Sequence, residues 1–314
     1  LFYCSTPIDF WWCMQAVTMV GSGGLSRSES EYIVDGCVND CRMDGRTREQ
    51  TRSYTIEFGE SSASTEKAPL PLVNGSARLV SVAGETDILC SVKAELVHPA
   101  LDSPTMGLLE IHVESHRNNR NDELESLLSS LILSRWDGHE QLCIVPKIYV
   151  WKVSVDLMII SADGGSALDL CACLIDAALA NTSLPKIDVL PGESTARPAL
   201  QLQSDPRKSQ QFPKGSLPSI VTVAVMKNET GRIALVVDAT TEEEACAFAM
   251  VHFAIDRSDQ APVIVSLAKT GRGALPVTVM QSVTSLAVHT TMSLRRAFRR
   301  DDECLLGHAL AITT

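Results

Sequence analysis

The segment Tyr149–Thr182, YVWKVSVDLMIISADGGSALDLCACLIDAALANT, constrains the fold more than any other stretch of this chain. Trp151, Val153, Val155, Leu157 and Ile159 alternate with Lys152, Ser154, Asp156 and Met158, the period of a strand with one buried face. Gly164-Gly165 permits a sharp turn at low steric cost. Ser166, three residues before Asp169, reads as a capping box. Leu168, Cys171, Ile175, Ala178 and Leu179 then recur at helical spacing. Asp156 and Asp163 flank the end of the strand, where a phosphate or a metal-bound substrate can lie.

The remaining pattern is α/β throughout. Ser28 with Glu31 starts a short helix that stops near Gly36. Strands are expected at 76–82, 86–97 and 107–114, with Ile88, Cys90, Val92, Ala94 and Leu96 alternating. Asn121 or Asp122 caps a helix whose Leu124, Leu127, Leu128 and Leu131 form one apolar stripe. Pro191, Pro198, Pro206, Pro213 and Pro218 punctuate a polar connection. Beyond it, strands near 219–227 and 232–238 meet at Thr230-Gly231, and Thr240 with Glu243 forms a capping box before a helix over 241–254. A strand at 262–269 runs into Thr270-Gly271-Arg272-Gly273. Pro276 then opens a long helix carrying Val279, Val283, Leu286, Leu294 and Phe298 on one side. The organisation is therefore a tail over 1–27, a first half over 28–190, a Pro-rich connection over 191–218 and a second half over 219–314. Each half packs helices on a sheet.

Val155, Asp156, Ala162, Asp163, Gly164 and Gly165 match the pattern V-D-x-D-h-h-x-A-D-G-G-T-R-T of the ribonuclease PH family, which this segment resembles. Further matches follow in order: Arg42-Met43-Asp44-Gly45-Arg46, Gly75-Ser76-Ala77-Arg78, and Gly84-Glu85-Thr86-Asp87-Ile88-Leu89-Cys90. Val92-Lys93-Ala94-Glu95, Val236-Val237-Asp238-Ala239-Thr240 and Glu243-Glu244-Ala245-Cys246 are similar to the exosome-ring branch of the family. The resemblance implies a ribonuclease PH-type α/β (α+β) fold: two βαβ-containing halves with helices packed on mixed sheets. Three positions depart from the pattern. Its middle acid falls on Met158, and its Thr-Arg pair falls on Ser166 and Ala167. In active members these positions supply a catalytic carboxylate and part of a phosphate grip. Methionine can take no proton and alanine can hold no oxyanion. Ser129 and Ser130 stand where active relatives carry arginines near the phosphate. Asp156, Met158, Asp163, Ser166 and Ala167 thus read as a vestigial site with no catalytic residue.

The resemblance further implies a non-catalytic subunit of the RNA exosome core. Its partners would be other ribonuclease PH-like subunits in a six-membered ring, cap subunits, and single-stranded RNA threaded through the assembled channel. Its place would be the nucleus, with the nucleolus, and the cytoplasm. Arg117 and Arg120 lie in the loop that the family places near the channel and are the RNA-binding candidates. The alternatives are an active phosphate-dependent 3′-exoribonuclease using Asp156 and Asp163, and a sister ring subunit at another position.

Charge supports contact with RNA only within an assembly. The chain carries a net charge of −11 with a pI near 5.1, whereas a protein that binds nucleic acid by itself is usually basic. Its ten cysteines contain no C-x-x-C pair, so they read as reduced thiols rather than a zinc site. His112 and His116 are four apart, but His112 sits in strand alternation, where helical ligand spacing does not apply. No cofactor and no metal is expected. There is no P-loop lysine, no HExxH and no GxSxG. Thr270-Gly271-Arg272-Gly273 reads as a turn, and Arg295, Arg296, Arg299 and Arg300 as favourable charge at a helix C-terminus. Ile8–Val20 is apolar but shorter than the roughly 20 residues of a membrane span and has no basic residue before it. It reads as a disordered tail or an artefact of the sequence. A membrane-surface anchor is the sharper alternative.

Overall fold

The computed structural model describes residues 24–59, 73–81, 84–116, 121–134, 136–190, 199–203, 208–213, 217–256, 262–302 and 309–312. The tail expected over 1–27 lies mostly outside these residues, as do Arg117 and Arg120.

The first half is one large mixed sheet. Its strands are β1 (Tyr54–Phe58), β2 (Gly75–Ser81), β3 (Thr86–Val97), β4 (Leu108–Ser115), β5 (Cys143–Val145) and β6 (Tyr149–Ala162). They run in the order β1-β2-β3-β6-β4, with the short β5 beside β6. All pairings are antiparallel except β4 with β6, which are parallel. Two helices follow the strands: α2 (Asp122–Leu133), which crosses from β4 towards β6, and α3 (Ala167–Ala180), which leaves β6. Asn121 caps α2 by accepting from Leu124 N at 3.3 Å. The alternation read from the sequence holds: Trp151, Val153, Val155, Leu157 and Ile159 are all buried.

The second half is a four-stranded sheet. Its strands are β11 (Ser219–Lys227), β12 (Ile233–Val237), β13 (Ala249–Ile255) and β14 (Ile264–Thr270), in the order β12-β11-β13-β14. β12 and β13 both pair antiparallel with β11, so they run parallel to each other. The short helix α4 (Thr241–Cys246) makes the crossover between them. The N-terminal helix α1 (Arg27–Val38) packs with α4 on one face, and the long helix α5 (Val277–Asp302) lies on the other. Between the halves lie two ribbons, β8 (Ile187–Leu190) with β9 (Ala199–Leu202), and β7 (Ser183–Leu184) with β10 (Gln210–Gln211). A terminal strand, β15 (Ala309–Ile312), returns to pair with β1.

The two halves share their central layer. The largest apolar cluster joins β1–β6, α2 and α3 to Leu217 of the connection and to Ile220 and Ala254 of the second half. Helix α3 is therefore apolar on nearly every side, with Leu168, Leu170, Cys171, Ala172, Leu174, Ile175, Ala177, Ala178 and Leu179 all buried. A helix sandwiched between sheets needs no polar face.

Four local expectations are corrected. The helix expected over 241–254 ends at Cys246, and 249–255 is a strand. β13 pairs on both sides and is buried on both faces, so its apolar run mimics a buried helix. The first helix begins two residues earlier than Ser28, because Ser26 and Glu29 close the capping box, and it runs past Gly36 to bury Cys37 and Val38. The Ser166–Asp169 capping box does not form: Ser166 is left-handed and makes no side-chain cap bond. Leu127 is only partly buried, and Leu124, Leu128, Leu131 and Ile132 make the buried stripe of α2.

Candidate functional site

The Gly164-Gly165 turn lies at the junction of the halves, pinned by the loop that caps α4. Thr241 Oγ1 donates to Asp163 O at 2.7 Å, and Ser166 Oγ donates to Ala239 O at 3.2 Å. Ser166 N donates to Glu244 Oε1 at 2.8 Å. Arg52 Nη1 donates to Gly164 O. Gly165 has φ +85, and a Cβ there would come within 2.5 Å of Ala239 O. Only glycine fits that close approach.

Asp238 is the centre of this junction. It is buried, with a φ of 48, and its carboxylate accepts from Arg46 Nη1 at 2.8 Å, Arg52 N at 2.6 Å and Arg52 Nη2 at 2.6 Å. Burial pushes the Asp238 carboxyl up, but the Arg52 and Arg46 bonds and charges outweigh it and hold the group below its ordinary value. The same pair drives the Arg52 guanidinium above its ordinary value against the burial cost. Next to it, buried Arg42 donates from Nε and Nη2 to Glu243 at 2.9 and 2.6 Å and from Nη2 to Asp238 O at 3.0 Å. Cys37 Sγ lies 3.5 Å from Glu243, and burial first, then the Glu243 charge, pushes that thiol up to about 12. It is an inert thiol. The arginines of Arg42-Met43-Asp44-Gly45-Arg46 therefore serve the acids of the Val236–Glu244 stretch.

The five candidate site residues do not converge: Asp156 and Met158 stand on the outer face of the first sheet, whereas Asp163, Ser166 and Ala167 lie at the turn and the start of α3. Asp156 lies in the middle of β6, opposite Ser91 and beside His112, not at the strand's end. Roughly 20 Å of extended chain separates it from Asp163. Lys93 Nζ holds Asp156 Oδ2 at 3.1 Å. Met158 follows on the same face, paired across from Leu89, and is 39% exposed. Ile160 beside it is 46% exposed. Asp163 starts the turn, where its N–H donates to Glu85 O at 3.1 Å. Ala167 opens α3 and offers no polar group. On the neighbouring strands Arg78 grips Asp87 with two bonds of 2.9 and 2.7 Å. Lys93, Arg78 and Arg52, three cations around this surface, are thus each committed to a carboxylate of the chain itself. Among the described residues no group of three or more His, Cys, Asp or Glu side chains is arranged to hold a metal.

Sequence reasoning matched the arginine and acid motifs but did not see that they meet. The signal was reciprocal charge: an arginine-rich motif near the start and an acid-rich one about 200 residues later.

Residues 50–185 match domain 1 of the 3′ exoribonuclease (RNase PH) family, and residues 216–289 match its domain 2. The chain belongs to this family. Its relatives include the exosome complex component Rrp42 of Methanothermobacter thermautotrophicus, 27% identical over 274 residues, covering 83% of this chain and 91% of the relative. The Rrp42 of Pyrococcus furiosus is 31% identical over 68% of this chain and 73% of its own length. The exosome complex component RRP45 of Saccharomyces cerevisiae is 26% identical over 79% of this chain and 81% of its own. An archaeal exosome core shares the RNase PH fold at a TM-score of 0.65 with 23% identity, covering 86% of this chain and 96% of that one. The Archaeoglobus fulgidus exosome with RNA bound to the active site does so at 0.67 with 22% identity, covering 86% and 97%.

Proposed function

We propose that this chain is a structural subunit of an RNA exosome ring, acting in 3′-to-5′ RNA processing and degradation, including rRNA maturation, and that its own RNase PH-type site is inert. The reading of an inert site is carried by Met158 standing on the outer face where the family pattern has an acid, between a carboxylate already paired to Lys93 and the exposed Ile160. A phosphate entering there meets Arg78, which Asp87 neutralises with two bonds. Charge-assisted bonds to phosphate need an available cation, and competition from an intramolecular carboxylate removes it.

The ring role is supported by relatives named as exosome components that the chain matches over most of their length. The chain would hold neighbouring RNase PH-like subunits in register beneath cap subunits, in the nucleus and the cytoplasm. Single-stranded RNA would pass through the channel. The acidic balance of −11 fits a subunit whose RNA contacts are few and local to the pore. Relatives named Rrp42 and RRP45 match at similar identity. This favours a second reading, in which the chain occupies a sister position in the same ring.

The test is phosphorolysis. The purified chain, given single-stranded RNA, inorganic phosphate and a divalent cation, should release no nucleoside diphosphate. Release that Asp163→Ala abolishes would overturn the inert-site reading. Purification with the sister subunits, followed by mass measurement of the intact complex, checks the ring role and its position separately.

A further inference from the structure

Asp169, on the first turn of α3, reaches across the junction into the second sheet. Its contact continues as a chain of four side chains. Thr222 on β11 approaches with its N–H 2.7 Å from Asp169 Oδ2 and its hydroxyl 2.5 Å from Oδ1. The same hydroxyl lies 2.8 Å from His252 Nδ1 on β13. His252 Nε2 in turn lies 3.0 Å from Thr270 Oγ1 on β14. Thr222 and His252 are both buried. None of the four belongs to the vestigial site.

Proton counting makes this chain directional. A hydroxyl carries one proton and a neutral imidazole carries one, on either nitrogen. When Asp169 is charged, the Thr222 hydroxyl must donate to it. The Thr222 oxygen then accepts from His252 Nδ1–H, and bare Nε2 accepts from Thr270. When Asp169 is protonated, the acid donates to the Thr222 oxygen. Thr222 then donates to Nδ1, and Nε2–H donates to Thr270. We propose that Asp169, Thr222, His252 and Thr270 form a proton-coupled hydrogen-bond relay between the halves, and that the proton on Asp169 sets its direction and the tautomer of neutral His252. The acidic form holds one proton more, at Asp169. The imidazole keeps one throughout, moved from Nδ1 to Nε2.

The surroundings place this event near neutrality. Burial raises the Asp169 carboxyl to about 7, against the two Thr222 bonds and with help from the charges of Asp238 and Glu244. Glu244 is itself raised to about 7, first by burial, although Ser166 N donates to it. Arg52 faces this cluster but is bound to Asp238. Helix α2, which packs against β13, has apolar Leu124, Leu128, Leu131 and Ile132 as its buried residues, and on β14 Lys269 Nζ is turned to Gly271 O. Burial lowers the imidazole to about 4. In the neutral range a proton therefore enters at the acid and not at the ring. Asp169 lies three residues after Ser166, so the relay ends beside the turn that Glu244 clamps.

Magic-angle-spinning NMR of the full chain, labelled with nitrogen-15 in its histidine rings, reads the tautomer with no need for tumbling. His252 is assigned by its contact with Thr222. From about pH 8.5 to about pH 5.5 it should pass from Nδ1–H to Nε2–H while staying neutral. Asp169→Asn should fix Nε2–H at every pH. The Thr222 N–H selects the amide oxygen, which leaves the amide N–H to donate to the Thr222 hydroxyl. Thr222→Val should remove the pH dependence. One unchanging tautomer in the unmodified chain, or an imidazolium at pH 5.5, overturns the relay whether or not the variants fold. An Asn variant that folds and shows Nδ1–H overturns it too.

Discussion

Arg42 and Glu243 stand 201 residues apart in sequence, yet they face each other through two charge-assisted hydrogen bonds, 2.9 Å from Nε to Oε1 and 2.6 Å from Nη2 to Oε2. Both side chains are almost sealed from solvent, at 0% and 4% exposure. Glu243 also closes the capping box of α4, accepting from Thr240 N at 2.9 Å. One carboxylate thus fixes the α4 N-terminus and anchors the arginine loop beneath it.

Removing one partner of such a pair leaves a buried, uncompensated charge. Glu243→Ala is expected to cost about 3–5 kcal/mol, with a further ~1 kcal/mol from the lost cap. Denaturant melts of Arg42→Met, of Glu243→Leu and of the double variant, beside Glu243→Ala, check it. The double variant should lose less than the sum of the singles, because neither charge is then stranded. Additive losses would mean that the pair contributes no coupling.

Asp238 gives the junction an acid limit. Its folded carboxyl is held below 3.8, its ordinary value, so its stabilisation is complete above 3.8 and is lost as pH falls through the lower folded value. Stability should therefore drop steeply below about pH 3.8. Asp238→Asn should flatten that slope while lowering stability at neutral pH, since Arg46 and Arg52 lose their counter-charge. Urea melts across pH read both effects. An equally steep acid slope in the variant would assign acid sensitivity to other carboxylates.

The parts of this fold that local chemistry dictates were legible from sequence. β3 spans 86–97 as its alternation implies, Asn121 caps α2, and Thr240 with Glu243 closes the box of α4. What was not legible depends on partners far away in the chain. β13 reads as helix because both its faces are buried, a fact supplied by β11 and β14. Ser166 fails as a cap because Ala239 O takes its hydroxyl, and Asp169 turns to Thr222 instead. Of the candidate site, the methionine at 158 where the family pattern has an acid was legible as a letter. That Lys93 ties up Asp156 was not, because no periodicity encodes a salt bridge between strands.

Gly165 meets its neighbours with no room for a side chain. At φ +85, with Ala239 O 2.5 Å from a Cβ, Gly165→Ala should cost at least about 1–3 kcal/mol. The Ser166–Ala239 bond should loosen with it, visible as faster amide exchange over the 164–167 turn. Gly231, also left-handed but with open space around it, is the control: its Ala variant should cost only the strain of φ, about 1 kcal/mol. Equal losses at both glycines would show that the close approach to Ala239 is unimportant.

Leu128 is fully buried in α2 and Leu127 only partly. Leu128→Ala should cost about 2–5 kcal/mol, and Leu127→Ala clearly less. Equal costs in denaturant melts would mean that α2 is rotated about its axis relative to the register described above.

The loop containing Arg117 and Arg120 lies outside the described residues, but its two anchors do not. His116 N donates to Ile159 O at 3.0 Å, and Asn121 N donates to Val113 O at 3.0 Å. His116, the last described residue before the loop, thus sits beside the end of β6, where Met158 and Ile160 are exposed. A chain of charge −11 can touch RNA only through local cations. Arg117, Arg120 and the amides of Asn118 and Asn119 are the donors at this place in the sequence. Phosphate contacts weaken binding about equally for all sequences, and each lost contact lowers the salt slope on a single strand by roughly 0.7. Arg117→Ala with Arg120→Ala should therefore weaken RNA threading by the reconstituted complex, reduce the slope by up to about 1.4, and leave assembly intact. Affinity measured on the whole complex over a range of salt decides it. An unchanged affinity and slope would make the two arginines solvated loop charges and move the RNA path elsewhere on the ring.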